Sequence, residues 1–411
     1  MDIFEKCNSN AGYFGMFRRL NDHYFSRPIL EPTPGRIMEF QGKKCVQWSI
    51  NNYLGLANNE EIKQIAIDMA KKYSTSAPMG SRMLTGNTQR HIDVEKEFAD
   101  YLEKESAILF NYGYLGVLGT ISSIVGENDI ILIDKLAHAS MIDATWLSRG
   151  DYRVFKHNDM EDLESKLKKA SQNQKGGVLV VTEGVFGMEG DLANLPDICS
   201  LKDKYNTRLF VDDAHGFGVM GENGQGVGAH FGVQDKIDIY LGTFAKAFAA
   251  IGGVAGSTKA VIDWIQYNAR TQVFAKSLPM IYVEVLSKTL DLIKNDKERR
   301  QKMWDNSNKL KSGLKELGYK VGDVPSPICP VYVRYDDIPV AMKLVTMLRN
   351  MGIFITGVIY PVVPKDIVLF RMIPTASHTE EDISATLDAF EKVRDELKLD
   401  LDSVKSDLAH K

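Results

Sequence analysis

Three short apolar runs in this 411-residue chain are each followed at once by a residue able to do chemistry. Residues 239–241 lead into Gly242-Thr243-Phe244-Ala245-Lys246, and residues 209–211 into Asp212-Asp213-Ala214-His215. Residues 130–133 lead into Asp134 and a loop carrying His138. A lysine amine can form a Schiff base with a carbonyl, a carboxylate can stabilise a cation, and an imidazole exchanges protons near neutral pH. A fourth run, residues 107–110, precedes Asn111-Tyr112-Gly113-Tyr114, where Gly113 opens a helical pattern. Helix N-termini present N–H groups that bind phosphate, and the Thr243 hydroxyl adds a donor. Singly, each feature has a plainer reading: Asp212 as a helix cap, Lys246 as solvated surface, His138 as a structural histidine, Gly113 as a turn. What sets them apart is a shared position after strands.

The elements that must hold them alternate. Helical periodicity appears at 59–73, 90–103, 115–125 and 159–172, with short apolar runs at 107–110, 130–133, 178–181, 209–211 and 239–241. Continuous apolar runs between helices predict strands buried on both faces, hence an α/β fold with a doubly wound, mainly parallel sheet. Ligands of such sheets bind beyond the carboxyl ends of the strands. Before the alternation, residues 36–40 and 44–49 flank a turn and predict a hairpin. Past residue 278 the pattern becomes two long helices, 280–293 and 296–317, then mixed strands and helices, predicting a smaller C-terminal α+β domain. The division is an arm and hairpin at 1–58, a large domain at 59–290 and a small domain at 291–411. The last dozen residues are polar and predicted to fray.

A lysine, an acid and a phosphate cradle at one sheet edge match the needs of pyridoxal phosphate (PLP), which wants a Schiff-base lysine and an acid at its pyridine nitrogen. No G-x-G-x-x-G follows a strand and there is no P-loop, so dinucleotide and nucleotide-triphosphate readings lack support. Glycines 216, 218, 221, 224, 226 and 228 fit neither motif and predict a tight loop beside the site.

The ordered motifs are Asn51-Asn52-Tyr53-Leu54-Gly55, Gly80-Ser81-Arg82, His138-Ala139-Ser140, Glu183-Gly184-Val185-Phe186 and Met188-Glu189-Gly190-Asp191. With Asp212 to His215, Gly242 to Lys246, Arg371 and His378-Thr379, they span about residues 30–390. Together they resemble the α-oxoamine synthases, fold-type I PLP enzymes that condense an amino acid with an acyl thioester and release CO2. The resemblance implies Lys246 as the Schiff-base lysine, Asp212 at the pyridine nitrogen, His215 at the ring hydroxyl and His138 stacked on the ring. It implies Gly113, Tyr114, Glu183 and Thr243 around the cofactor, with Asn51 and Arg371 on the amino-acid side. Lys246, His138 and Asp212 carry catalysis. A homodimer is implied, because the segment at 274–279 serves the neighbouring subunit's phosphate in the family. No metal is implied.

Three departures stand out: Ala245 and Gly187 replace serines, and Phe274-Ala275-Lys276-Ser277-Leu278-Pro279 places a cation where the family has a hydroxyl. Residues 76–82 and 274–277 look more like the branch that acylates cysteate than the serine-using branch. A sulfonate brings a second permanent anion into a site already holding a carboxylate and a phosphate, and burying it unpaired costs several kcal/mol. Lys276 is the candidate counter-cation or phosphate contact, with Arg82 or Arg270 as helpers. Serine with a sphingolipid product is the alternative, then a glycine-using member. An aminotransferase, lacking the His138 and Gly80-Ser81-Arg82 signature, and a non-catalytic partner subunit, lacking the lysine, stand further off.

Composition bounds the rest. Fifty Lys+Arg against fifty-four Asp+Glu, a net charge of −4, leaves no basic face for nucleic acid. Cys7, Cys45, Cys199 and Cys329 are scattered, as a reducing compartment leaves them. No apolar run approaches the ~18 residues that span a bilayer. The expectation is a cytoplasmic enzyme with at most peripheral membrane contact, its acyl donor presented by coenzyme A or an acyl-carrier protein. Arg18-Arg19 or Lys71-Lys72 could dock such a carrier, although paired cations on helices usually only solvate a face.

Overall fold

In the computed structural model the apolar runs become strands of one sheet, and every residue of those runs is buried. The structure describes residues 2–9, 12, 23–173, 175–335, 338–360, 363 and 365–404. They divide into two units, Asn51–Gln301 with Val324–Ser326, and Met1–Ile50 with Lys302–Asp323 and Pro327–Lys411.

The strands in chain order are β1 (Ile37–Phe40), β2 (Lys43–Gln47), β3 (Ser106–Phe110), β4 (Ile130–Asp134), β5 (Asp151–Phe155), β6 (Val178–Glu183) and β7 (Arg208–Asp212). There follow β8 (Ile239–Thr243), β9 (Gly253–Ser257), β10 (Lys320–Val321), β11 (Cys329–Arg334), β12 (Ile353–Phe354), β13 (Gly357–Val358) and β14 (Ile367–Met372). A seven-stranded sheet, in the order β3-β9-β8-β7-β6-β4-β5, centres the larger unit. Its pairings are parallel except at β9, which runs antiparallel to both β3 and β8. The mainly parallel sheet expected from the apolar runs is therefore present. Ile131, Ile133, Val181, Phe210 and Leu241 form its core with Val117, Ile121, Met141 and Ile265 from the covering helices.

Two strands of this seven-stranded sheet lie outside the sequence expectation. β5 is an edge strand whose residues are mostly exposed, so it carries no apolar run. β9 is small-residue throughout because the chain packs close there: a Cβ on Gly253 would lie 2.8 Å from the Cα of Gly113.

In the other unit, β1 and β2 form the expected hairpin, turning at Gln41 and Gly42 with φ of 51° and 76°. That hairpin is not a separate arm: β12 pairs parallel with β2, tying it to the C-terminal residues. The hairpin therefore clusters with the C-terminal residues in one unit, because strand pairing and not chain order groups them. The antiparallel sheet β10-β11-β14-β13 completes this unit, around Trp48, Val331, Phe370 and Phe390. Its last helix, Glu380–Leu397, starts at a capping box between Thr379 and Asp382.

Candidate active site

β6, β7 and β8 end side by side, at Glu183, Asp212 and Thr243, and in the β6–β7 register Glu183 sits directly opposite Asp212. Both carboxylates are buried. Two buried anions this close cannot both stay ionised. Burial drives the Glu183 pKa well above the carboxylate range, and Asp212 adds to it. Burial raises Asp212 as well, but the Lys246 ammonium and the Ala214 N–H, 3.2 Å away, favour its charged form. The pair therefore holds its proton on Glu183 and its charge on Asp212.

Lys246 stands on the tight connection from β8 to β9. Phe244 N–H donates to Gly252 O at 3.0 Å, Ala250 N–H to Phe244 O at 2.9 Å and Ala249 N–H to Lys246 O at 3.0 Å. The Thr243 hydroxyl adds to them, donating to Gly252 O at 3.2 Å and accepting the Ala245 N–H at 3.4 Å. The Lys246 ammonium acts electrostatically on Asp212, Glu183 and His138, which places the four groups together at one sheet edge.

His138 caps the helix Ala139–Leu147: its Nδ1 accepts the Ser140 N–H at 3.2 Å. An Nδ1 that accepts leaves the ring proton on Nε2. Burial lowers the His138 pKa, so the neutral ring with Nε2–H as donor is the form at pH 7. The Glu183 carboxyl also accepts the Gly187 N–H at 3.3 Å.

His215 is held by a residue 162 positions away in the chain: its Nδ1 pairs with the buried Tyr53 hydroxyl at 2.9 Å. Asn51 sets up that tyrosine, its carbonyl accepting the Tyr53 N–H at 2.9 Å. A Cβ on Gly187 would lie 2.4 Å from His215 Nε2, so a serine there would collide with the imidazole. The helix Gly113–Ile124 begins without a side-chain cap, and a Cβ on Gly113 would meet Thr243 Oγ1 at 2.7 Å. Tyr114, in its first turn, hydrogen-bonds Asp143 and stands edge-on to His138. An uncapped helix start against a threonine, a lysine, a buried carboxylate and a neutral imidazole fit PLP: anion cradle, amine, pyridinium partner and ring neighbour.

The cations proposed as helpers are engaged elsewhere. Arg82 forks onto Glu95 at 2.7 and 2.8 Å and donates Nε–H to Asn87 at 2.7 Å, the pair being only 7% and 12% exposed. Glu95 also accepts the Leu109 N–H of β3, so Arg82 anchors its loop to the sheet, and this geometry offers it no free face for a substrate. Arg82→Ala should destabilise the protein by about 3–5 kcal/mol, because it strands a buried carboxylate; urea denaturation measures this. Arg270 lies 5.0 Å over the Phe274 ring. Lys276 donates to Ser76 O at 2.5 Å, and its own carbonyl accepts from Asn111 Nδ2 at 2.5 Å, next to the helix start. Arg371 lies in β14 of the other unit, paired with Pro330. Lys71 approaches Asp68 at 4.0 Å and Lys72 lies over Tyr73, while Arg18 and Arg19 fall outside the described residues.

Asp213 and His157 gained no role from sequence reasoning. Asp213 is fully buried, accepts from Val227 N at 2.6 Å and Tyr240 Oη at 2.9 Å, and is packed by Gly184, Gly216 and Gly226. It holds the glycine loop in place, and burial raises its pKa to about 6. His157, after β5, bridges Asp134 and Asp191. The strand-end rule would have found His157 had β5 been recognisable.

The family model of aminotransferase class I and II matches residues 43–390. The chain is 46% identical to the cysteate-C-fatty acyltransferase of Capnocytophaga ochracea, over 97% of this chain and 95% of that one. It is 39% identical to the serine palmitoyltransferase of Bacteriovorax stolpii, over 92% of this chain and 89% of that one. A serine palmitoyltransferase solved with PLP superposes with a TM-score of 0.89 at 27% identity, covering 97% of this chain and all (100%) of that one. Fold and site define a fold-type I PLP-dependent enzyme. The chain belongs to the α-oxoamine synthase family, the PLP-dependent C-acyltransferases.

Proposed function

We propose that this enzyme condenses cysteate with a long-chain acyl thioester, presented by acyl-carrier protein or coenzyme A, to give a 3-keto long-chain base for sulfonolipid synthesis. The observation that carries the reading is the 46% identity, along 97% of the chain, to a cysteate-C-fatty acyltransferase. Serine as substrate, with a sphingolipid product, is the second reading, favoured by the 39% identity to a serine palmitoyltransferase.

When bound, PLP supplies the electron sink for a carbanion at the amino acid's α-carbon. Lys246 anchors the cofactor and, once displaced, removes the α-proton as general base. Asp212 keeps a ring nitrogen protonated, Glu183 having taken the pair's proton. The α-carbon bonds to the thioester carbonyl carbon, the C–S bond breaks, and the thiol departs. His138 donates Nε2–H to the oxygen that gains charge in that step. The α-carboxylate then leaves as CO2, and the α-carbon is reprotonated. Thr243 and the backbone at Gly113 and Tyr114 take the phosphate, and His215 the ring hydroxyl. Asn51 and Arg371 take the amino-acid substrate, the arginine as a bidentate partner for its carboxylate.

The enzyme acts as a cytoplasmic homodimer in this reading. Among the described residues no helix is long and apolar enough to cross a membrane. Lys276, tied to Ser76 within its own chain, supplies positive charge to the neighbouring subunit's phosphate or to the sulfonate. The test is condensation of a long-chain acyl thioester with cysteate, serine, glycine and alanine at equal concentration, followed by CO2 and free thiol. Cysteate should give the highest kcat/KM. Lys276→Ala should lower kcat/KM for cysteate about tenfold more than for serine, the equivalent of about 1.4 kcal/mol. Higher kcat/KM with serine would move the assignment to sphingolipid synthesis.

A further inference from the structure

His157 is almost fully enclosed, its side chain 4% exposed, with Nδ1 2.9 Å from Asp134 and Nε2 2.7 Å from Asp191. A neutral imidazole has one N–H and can satisfy only one of two carboxylates, whereas the imidazolium satisfies both. The elements so joined are those that carry the site. Asp134 ends β4 and accepts the Leu136 N–H at 2.8 Å, two residues before His138. Asp191 closes the loop after β6, its carbonyl accepting the Phe186 N–H at 2.9 Å, next to Gly187. Asn158 repeats the link, donating from Nδ2 to Leu192 O at 2.9 Å and accepting from Asn194 N at 3.1 Å. The His157 ring also meets Phe186 edge-on, centroids 4.4 Å apart.

We infer that His157 is a positioning residue: as a cation between Asp134 and Asp191 it fixes the two loops that aim His138 and Gly187 at the reacting centre. The inference rests on the proposed roles of His138 and the residue 183–187 loop. The charged groups facing it are Asp134 from β4 and Asp191 from the loop after β6. On its own turn, Lys156 pairs with Asp159 at 3.7 Å. Burial opposes the charge, but the two carboxylates outweigh it and raise the pKa to about 9. In the unfolded chain a histidine titrates near about 6.5. The folded value being the higher one, the stabilisation is complete below about pH 6.5 and is lost as pH rises through about 9.

The experiment uses the PLP-loaded, full-length enzyme with isotopically labelled histidine, following His157 by NMR alongside kcat, Tm and PLP retention from pH 6 to 10. His157 should titrate near 9, with Tm, PLP retention and kcat all falling through the same range. His157→Gln, one neutral donor in place of two charged ones, should lower kcat about 10- to 100-fold with a smaller change in KM. Its Tm should lack the alkaline decline. Adding Asp191→Asn, which removes the stranded charge, should restore part of the kcat. A folded His157→Gln enzyme with wild-type kcat and PLP retention would overturn the inference. So would a wild-type His157 that titrates near its unfolded value, or near 9 without any loss of kcat and PLP retention, and these need no variant. If no amino acid is condensed at all, the proposed reaction fails, while the titration and PLP retention still decide the role of His157.

Discussion

Lys246→Ala is expected to lower turnover by at least about four orders of magnitude and to leave no PLP covalently trapped after borohydride reduction. The loss should be chemical and not structural. The loop is held by backbone bonds among Phe244, Lys246, Ala249, Ala250 and Gly252, none of which uses the lysine side chain. Removing the ammonium also takes away the nearby cation that favours ionised Asp212, so the buried carboxylates bind protons more tightly. Peptide mapping of the reduced wild-type enzyme should place the pyridoxyl group on Lys246. Finding it on another lysine would remove the basis of the mechanism.

The parts of the fold legible in sequence were those whose burial is written into a local pattern. Residues 178–181 read as a strand without any partner in view, and the structure buries them all within β6. β5 and β9 were not legible, the first because an edge strand need not be apolar, the second because Gly253 answers to Gly113, a residue far earlier in the chain. The same limit applied to the site. Position after a strand singled out Asp212, Lys246 and His138, which the structure gathers at one sheet edge. Contacts set by distant pairing were not foreseeable, Tyr53 with His215 and Asp134 with His157 among them. Arg82 shows the converse: a motif arginine reads as a free cation until the fold supplies Glu95, which closes both sides of its guanidinium.

The division of labour between the two buried carboxylates leads to unequal losses when each is made neutral. Asp212→Asn removes the charge that keeps a pyridine nitrogen protonated, and kcat should fall about 10³- to 10⁴-fold. It also removes the neighbouring anion that raises Glu183, whose pKa should drop although burial still holds it above the ordinary carboxylate range. Glu183→Gln keeps an uncharged group where a protonated one already stood, and its amide oxygen can still accept the Gly187 N–H. Its loss in kcat should stay within about tenfold, the scale of one perturbed hydrogen bond. The Asp212 pKa should shift little on this change, since a neutral Glu183 exerts no charge upon it. Infrared difference spectroscopy reads the assignment directly. A protonated-carboxyl band at neutral pH should vanish in Glu183→Gln and weaken in Asp212→Asn. If Glu183→Gln costs as much turnover as Asp212→Asn, the proton and the charge are not divided between the two strand ends in this way.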